Sequence, residues 1–201
     1  MQLSYKLTRC PLPLQFLSAS NATGDSMSAH EQDQYRALRD TIRERGTARI
    51  WIVVGGVIGW AALTIATAAL LAPPVATLLP LLALAVTFEA VYALHVGVER
   101  IGRYLEVFFD DSWEKAAMAF GRPAKAATID PLFAIVFATA AIFNLIPLLI
   151  TQPTAPELIF VGGGHALFGV RIVFAKLTVS KQREIDRQRF LALRGESRSQ
   201  G

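Results

Sequence analysis

The chain has 201 residues, of which 53% are apolar and only 18% charged, with a formal charge of +4. A soluble domain of this size ordinarily carries about a quarter charged residues; here the charges are also segregated from long uncharged tracts, which excludes one large water-soluble core and predicts an integral membrane protein. The single Cys10 cannot form an internal disulfide, and a basic excess without a basic face of stacking aromatics argues against a nucleic-acid partner.

In residues 1-27, Lys6 and Arg9 precede Leu12, Leu14, Phe16 and Leu17 in imitation of a signal peptide. Pro11, Pro13 and Gln15 break the apolar part below the roughly 7 to 15 residues that a secretory segment needs. We expect a disordered leader or a misassigned start here. Residues 28-49 read as a cytoplasmic amphipathic helix. Ser28 with Glu31 three residues on has capping-box spacing, and Tyr35, Leu38 and Ile42 share a face. Arg36, Arg39, Arg43, Arg45 and Arg49 crowd toward the membrane, as a solvated flank or as a surface for anionic lipid or a partner.

Residues 50-71 carry no charge over 22 positions and form the first predicted span. Gly55 and Gly59 make a GxxxG pair, suited to packing within the chain or to a dimerisation face. Pro73 and Pro74 turn the chain, and residues 75-98 form the second span, with Glu89 as the carboxylate in its interior. It passes without a Pro into an amphipathic cytoplasmic helix over 99-120. There Tyr104, Phe108, Trp113 and Phe120 fall largely on one face, and Arg103, Glu106, Asp110, Asp111 and Glu114 mainly on the other. An acidic polar face favours burial against protein over lying on anionic lipid. The natural mates are the Tyr35/Leu38/Ile42 face, the tail around Ile185 and Phe190, whose arginines complement Asp110, Asp111 and Glu114, or another subunit.

Gly121, Arg122 and Pro123 stop that helix. A third span follows over 131-150, containing Asn144 and, near its far end, Pro147. After the turn TQPTAPE comes a fourth span over 158-177, containing Gly162 to Gly164, His165 and Arg171. Residues 178-201 form a basic tail, read as a frayed helix to about residue 194 and then disorder.

Eighteen of the 20 Lys and Arg lie beyond residue 30, and none of these falls in the two short turns at the opposite ends of the spans. The positive-inside bias therefore predicts both termini in the cytoplasm, with four antiparallel transmembrane helices in a bundle of two hairpins. Arg outnumbers Lys 15 to 5, which suggests a GC-rich bacterial source and hence the cytoplasmic (inner) membrane.

Helix rise allows the intramembrane polar residues to be compared by depth. Glu89 and Arg171 lie 14 and 13 residues from the outer starts of their spans, each roughly 20 Å deep at 1.5 Å per residue. Asn144 and His165 lie 6 and 7 residues from theirs, roughly 10 Å deep. Two polar pairs follow, either fixing helix register or, with Glu89 and nearby Tyr92, lining a proton or cation path. His95 and Glu99 have metal-ligand spacing, but two ligands do not make a site. The chain has no HExxH, no GxSxG and no phosphate loop, so no catalytic residue, metal or cofactor is expected. The expected function is a non-catalytic interaction or assembly component whose partners are the bilayer and either a second copy or another membrane protein. A small proton or cation channel using Glu89 is the competing expectation.

Overall fold

The computed structural model describes residues 27–70, 73–109, 111, 115 and 131–199. All regular structure among them is helical: α1 (Ala29–Ala69), a 3-10 turn (Pro74–Thr77), α2 (Leu78–Phe108), α3 (Pro131–Phe143), α4 (Ile146–Ile150) and α5 (Ala155–Ser199). Three stretches are long and apolar enough to cross a membrane: α1, the run Pro74–Phe108, and α5 from Ala155 to Glu196. Ala134–Ile150 is a shorter apolar stretch. The leader, the loop after Lys115, and Asp110, Trp113, Glu114 and Phe120 lie outside the described residues.

The chain separates into two units, Met1–Gln34 and Tyr35–Gly201. In the first, the Ser28 backbone N–H and hydroxyl donate to Glu31 Oε2 at 2.8 and 3.0 Å, while the Glu31 N–H donates to Ser28 Oγ at 3.3 Å. These bonds satisfy donors that the first helical turn leaves open. They also hold the Glu31 carboxyl below its ordinary range, the Ser28 N–H contributing most and its hydroxyl next.

In the second unit, amphipathic segments and spans are not separate elements. α1 runs unbroken for 41 residues from the basic segment into the apolar one, and α5 for 45 residues from the outer turn through the tail. Neither junction contains a proline, so nothing removes a backbone donor where the composition changes. The tail expected to fray is therefore a continuation of α5. The apolar stretch Ala134–Ile150, in contrast, breaks at Asn144 and Leu145. Pro147 has no N–H for the Phe143 carbonyl, and the Leu145 N–H turns to Ile142 O at 3.0 Å.

The core lies along α2 and α5. Leu81, Leu84, Phe88 and Val91 recur at three- and four-residue spacing, as do Phe168, Ile172, Ala175 and Val179, with Phe137 and Ala140 of α3 closing over them. Phe88 stands edge-on to Phe137 and Phe168 at 5.4 and 6.0 Å between centroids, the favourable aromatic geometry. Cross-links between α2 and α5 keep a nearly constant sequence offset, from 81 to 87. The two helices thus run parallel, side by side from the outer turn to the tail. This parallel pair, rather than either hairpin of neighbours, is the most extensive packing in the unit.

α1 buries no residue. Ile52, Val53 and Trp60 lean on the core as partly buried side chains. α1 approaches α2 at Gly56, where a Cβ would overlap the Thr87 side chain. The packing expected at Gly55 and Gly59 is made by Gly56 instead: nothing lies within 4 Å of a Cβ built at either of the other two.

Candidate functional site

Glu89 on α2 and Arg171 on α5 meet as a two-pronged ion pair. Arg171 Nε lies 2.7 Å from Glu89 Oε1, and Nη2 donates to Oε2 at 2.8 Å. The fork of the guanidinium matches both carboxylate oxygens, which fixes orientation as well as charge. Arg171 also lies over the rings of Tyr92 and Phe88, 4.9 and 6.0 Å from their centroids. The Arg171 side chain is 38% exposed and that of Glu89 48%. The pair sits in a groove between α2 and α5, with Leu78, Leu82, Ala85, Gly164 and Leu167 along it.

A second polar centre forms at the break in the third span. Asn144 is fully buried, and its Nδ2 donates to Thr77 O at 2.8 Å and faces His165 Nε2 at 3.1 Å. His165 Nδ1 lies 2.9 Å from Val161 O. A carbonyl only accepts, so Nδ1 donates there, and Nε2 is left to accept from the Asn144 amide. Asn144 Oδ1 has no hydrogen-bond partner among the described residues. The helix break thus tethers the start of α2, the end of α3 and α5 through one amide.

A third cluster joins the C-terminal parts of α2 and α5. Arg103 and Glu106, placed by the sequence on the polar face of this helix, are only 6% and 8% exposed. Arg103 reaches Glu99 at 3.5 Å and Glu106 at 3.2 Å; from α5, Arg183 reaches Glu99 at 2.5 Å and Arg187 reaches Glu106 at 3.3 Å. Buried Asp186 accepts from Arg100 at 3.3 Å and Gln182 at 2.9 Å, and Arg194 donates to the Val107 carbonyl at 2.5 Å near the end of α2. The signal available in the sequence was spacing: Glu99, Arg103 and Glu106 recur at four and three, as do Arg183, Asp186 and Arg187 at three and one.

Among the described residues, Arg183 and Arg187 of the tail pair with Glu99 and Glu106; Asp110 and Glu114, the other expected mates, lie outside the described residues. Asp111 is held by α1, where Tyr35 donates to it at 2.9 Å and Arg39 at 2.5 Å. Tyr104 and Phe108 stack at 4.6 Å, and both meet Phe190 edge-on at 5.7 and 6.2 Å. The remaining two residues of that expected face, Trp113 and Phe120, fall outside the described residues. His95 faces Arg49, its Nδ1 3.4 Å from Nη1, while Glu99 is engaged by Arg103 and Arg183. Among the described residues, no three His, Cys, Asp or Glu side chains gather as a metal site. Gly164 lies against Leu78, and Gly162 and Gly163 border open space, inside a continuous helix.

No known protein family matches the chain, and neither does any curated protein or solved structure.

Proposed function

We propose that the protein is a non-catalytic assembly component of a bacterial cytoplasmic membrane, crossing it four times with both termini on the cytoplasmic side. The carrying observation is the closed Glu89–Arg171 pair, 2.7 and 2.8 Å between its atoms. A carboxylate fully engaged by a guanidinium is a poor carrier of protons or cations, but a strong lock on the register of two parallel helices. The fourth crossing is Ala134–Ile150, 17 residues and so about 25 Å of helix, near the lower limit for a span. The single-end topology draws support from Asp111, just past the end of α2, meeting Tyr35 and Arg39, while Arg187 of α5 meets Glu106 in the last turn of α2.

The test is rescue. Glu89→Gln and Arg171→Ala alone are each expected to lower folded yield, and Glu89→Gln with Arg171→Met to recover it. Proton or cation flux into liposomes that disappears in Glu89→Gln would replace this reading with the channel.

A further inference from the structure

Among the described residues, nothing covers the Glu89–Arg171 pair. The groove that holds it is lined, among those residues, by α2 and α5, and both charged side chains are more than a third exposed. Arg171 engages Glu89 through Nε and Nη2, so the Nη1 protons point away from Glu89. In hydrocarbon such donors have nothing to bond to, and Glu89 lies ten residues above Glu99, about 15 Å from where α2 becomes polar. Something must cover this patch. Resting on the assembly reading above, we propose that it is a second copy of this chain, docked face to face about a two-fold axis.

The charges choose the occupant. A free anion would meet Glu89 and a free cation would meet Arg171, each at contact distance from its own sign. A lipid headgroup sits at the membrane surface and not at this depth. What satisfies a neighbouring cation and anion together is a neighbouring anion and cation in reverse order, and that is this same patch after a half-turn. In the pair, each Glu89 accepts from its own Arg171 on one side and from the Nη1 of the other copy's on the other. The relief of the groove fits as well. Leu82 and Leu167 stand out at 61% and 71% exposed, beside Ala85 and Gly164 in the same groove, so the ridges of one copy can enter the shallow places of the other. The Gly55/Gly59 stripe of α1 is also open, but it carries no polar group that lipid leaves unsatisfied.

The full chain, with Cys10 replaced by Ser, is reconstituted in phosphatidylethanolamine/phosphatidylglycerol liposomes carrying single cysteines. Leu82→Cys and Leu167→Cys are expected to cross-link to themselves as dimers, and Ile58→Cys on α1 is not. Charge reversal gives the sharper readout. Glu89→Arg and Arg171→Glu should each fail to self-associate, while a co-expressed mixture of the two should form mixed dimers, which a role confined to one chain would not produce. Should either reversal fail to fold, Glu89→Gln with Arg171→Met keeps the test alive, with dimerisation expected to weaken about tenfold, the share one interhelical polar contact carries. A monomeric wild type, cross-linking through Ile58 alone, or an undiminished dimer in the neutral double variant would overturn the proposal. A monomer that conducts no ions leaves the assembly reading standing with a different partner, whereas Glu89-dependent flux would overturn that reading itself.

Discussion

Two ionic clusters join α2 to α5, and they occupy opposite surroundings. Near the C-terminal end of α2, Arg103, Glu106 and Asp186 are buried in protein, and each charge there faces opposite charges within 3.5 Å. Midway along the apolar stretch, Glu89 and Arg171 are closer still, at 2.7 Å, yet open on one side. In water, exposure would make the second pair the cheap one and nearly irrelevant. In lipid the ranking inverts, because an exposed charge there has no solvent to fall back on. The same two side-chain types thus act as an internal lock in one place and as an unfinished contact in the other.

The largest effect that would break this comparison lies at Arg103. Arg103→Ala removes the charge that Glu99 and Glu106 share and leaves each with one arginine of α5, so stability should fall by up to about 3 to 5 kcal/mol. Thermal unfolding in detergent measures this; a loss no larger than that of Arg187→Ala, on the rim, would mean that the cluster is already hydrated. Next comes Arg171→Ala, which strands Glu89 at a cost of about 2.5 to 3.5 kcal/mol on the insertion scale. It should appear as reduced membrane-inserted yield, with Arg171→Lys, which keeps the charge but not the fork, between the two.

A smaller effect is expected where α1 meets α2. Gly56→Val forces the Thr87 side chain aside and should cost about 1 to 3 kcal/mol, whereas Gly55→Val, with open space around it, should be near neutral in detergent. Equal responses would show that α1 does not rest on Thr87. The smallest effect belongs to the outer start of α5, where the Thr154 hydroxyl and N–H donate to Glu157 at 2.7 and 2.9 Å. These bonds, the hydroxyl first, hold the Glu157 carboxyl below its ordinary value of 4.5. The contribution is therefore fully present above pH 4.5 and fades as the pH falls through the lower folded value. Amide exchange over the first turn of α5 should quicken in that acidic window, and Glu157→Gln should remove the dependence.

Much of this arrangement was legible in the chain. Long uncharged runs announced the apolar helices, the Ser28/Glu31 spacing announced a cap, and helix rise put Glu89 level with Arg171 and Asn144 level with His165. Depth along a rod follows from 1.5 Å per residue, and composition fixes where the rod turns apolar. The turn at Thr154 carried the same cap spacing as Ser28, hidden among prolines.

What the sequence could not determine is rotation about each axis and which helices are neighbours. The sequence sets Arg103 and Glu106 on one polar face, but only α5 running parallel beside α2 brings Arg183 to Glu99 and Arg187 to Glu106. Gly55, Gly56 and Gly59 are indistinguishable by composition, yet only Gly56 faces Thr87. Periodicity tells which residues share a side, because it is a property of one helix. Which side meets protein and which meets lipid depends on packing against residues more than eighty positions away, and only the folded chain brings those together.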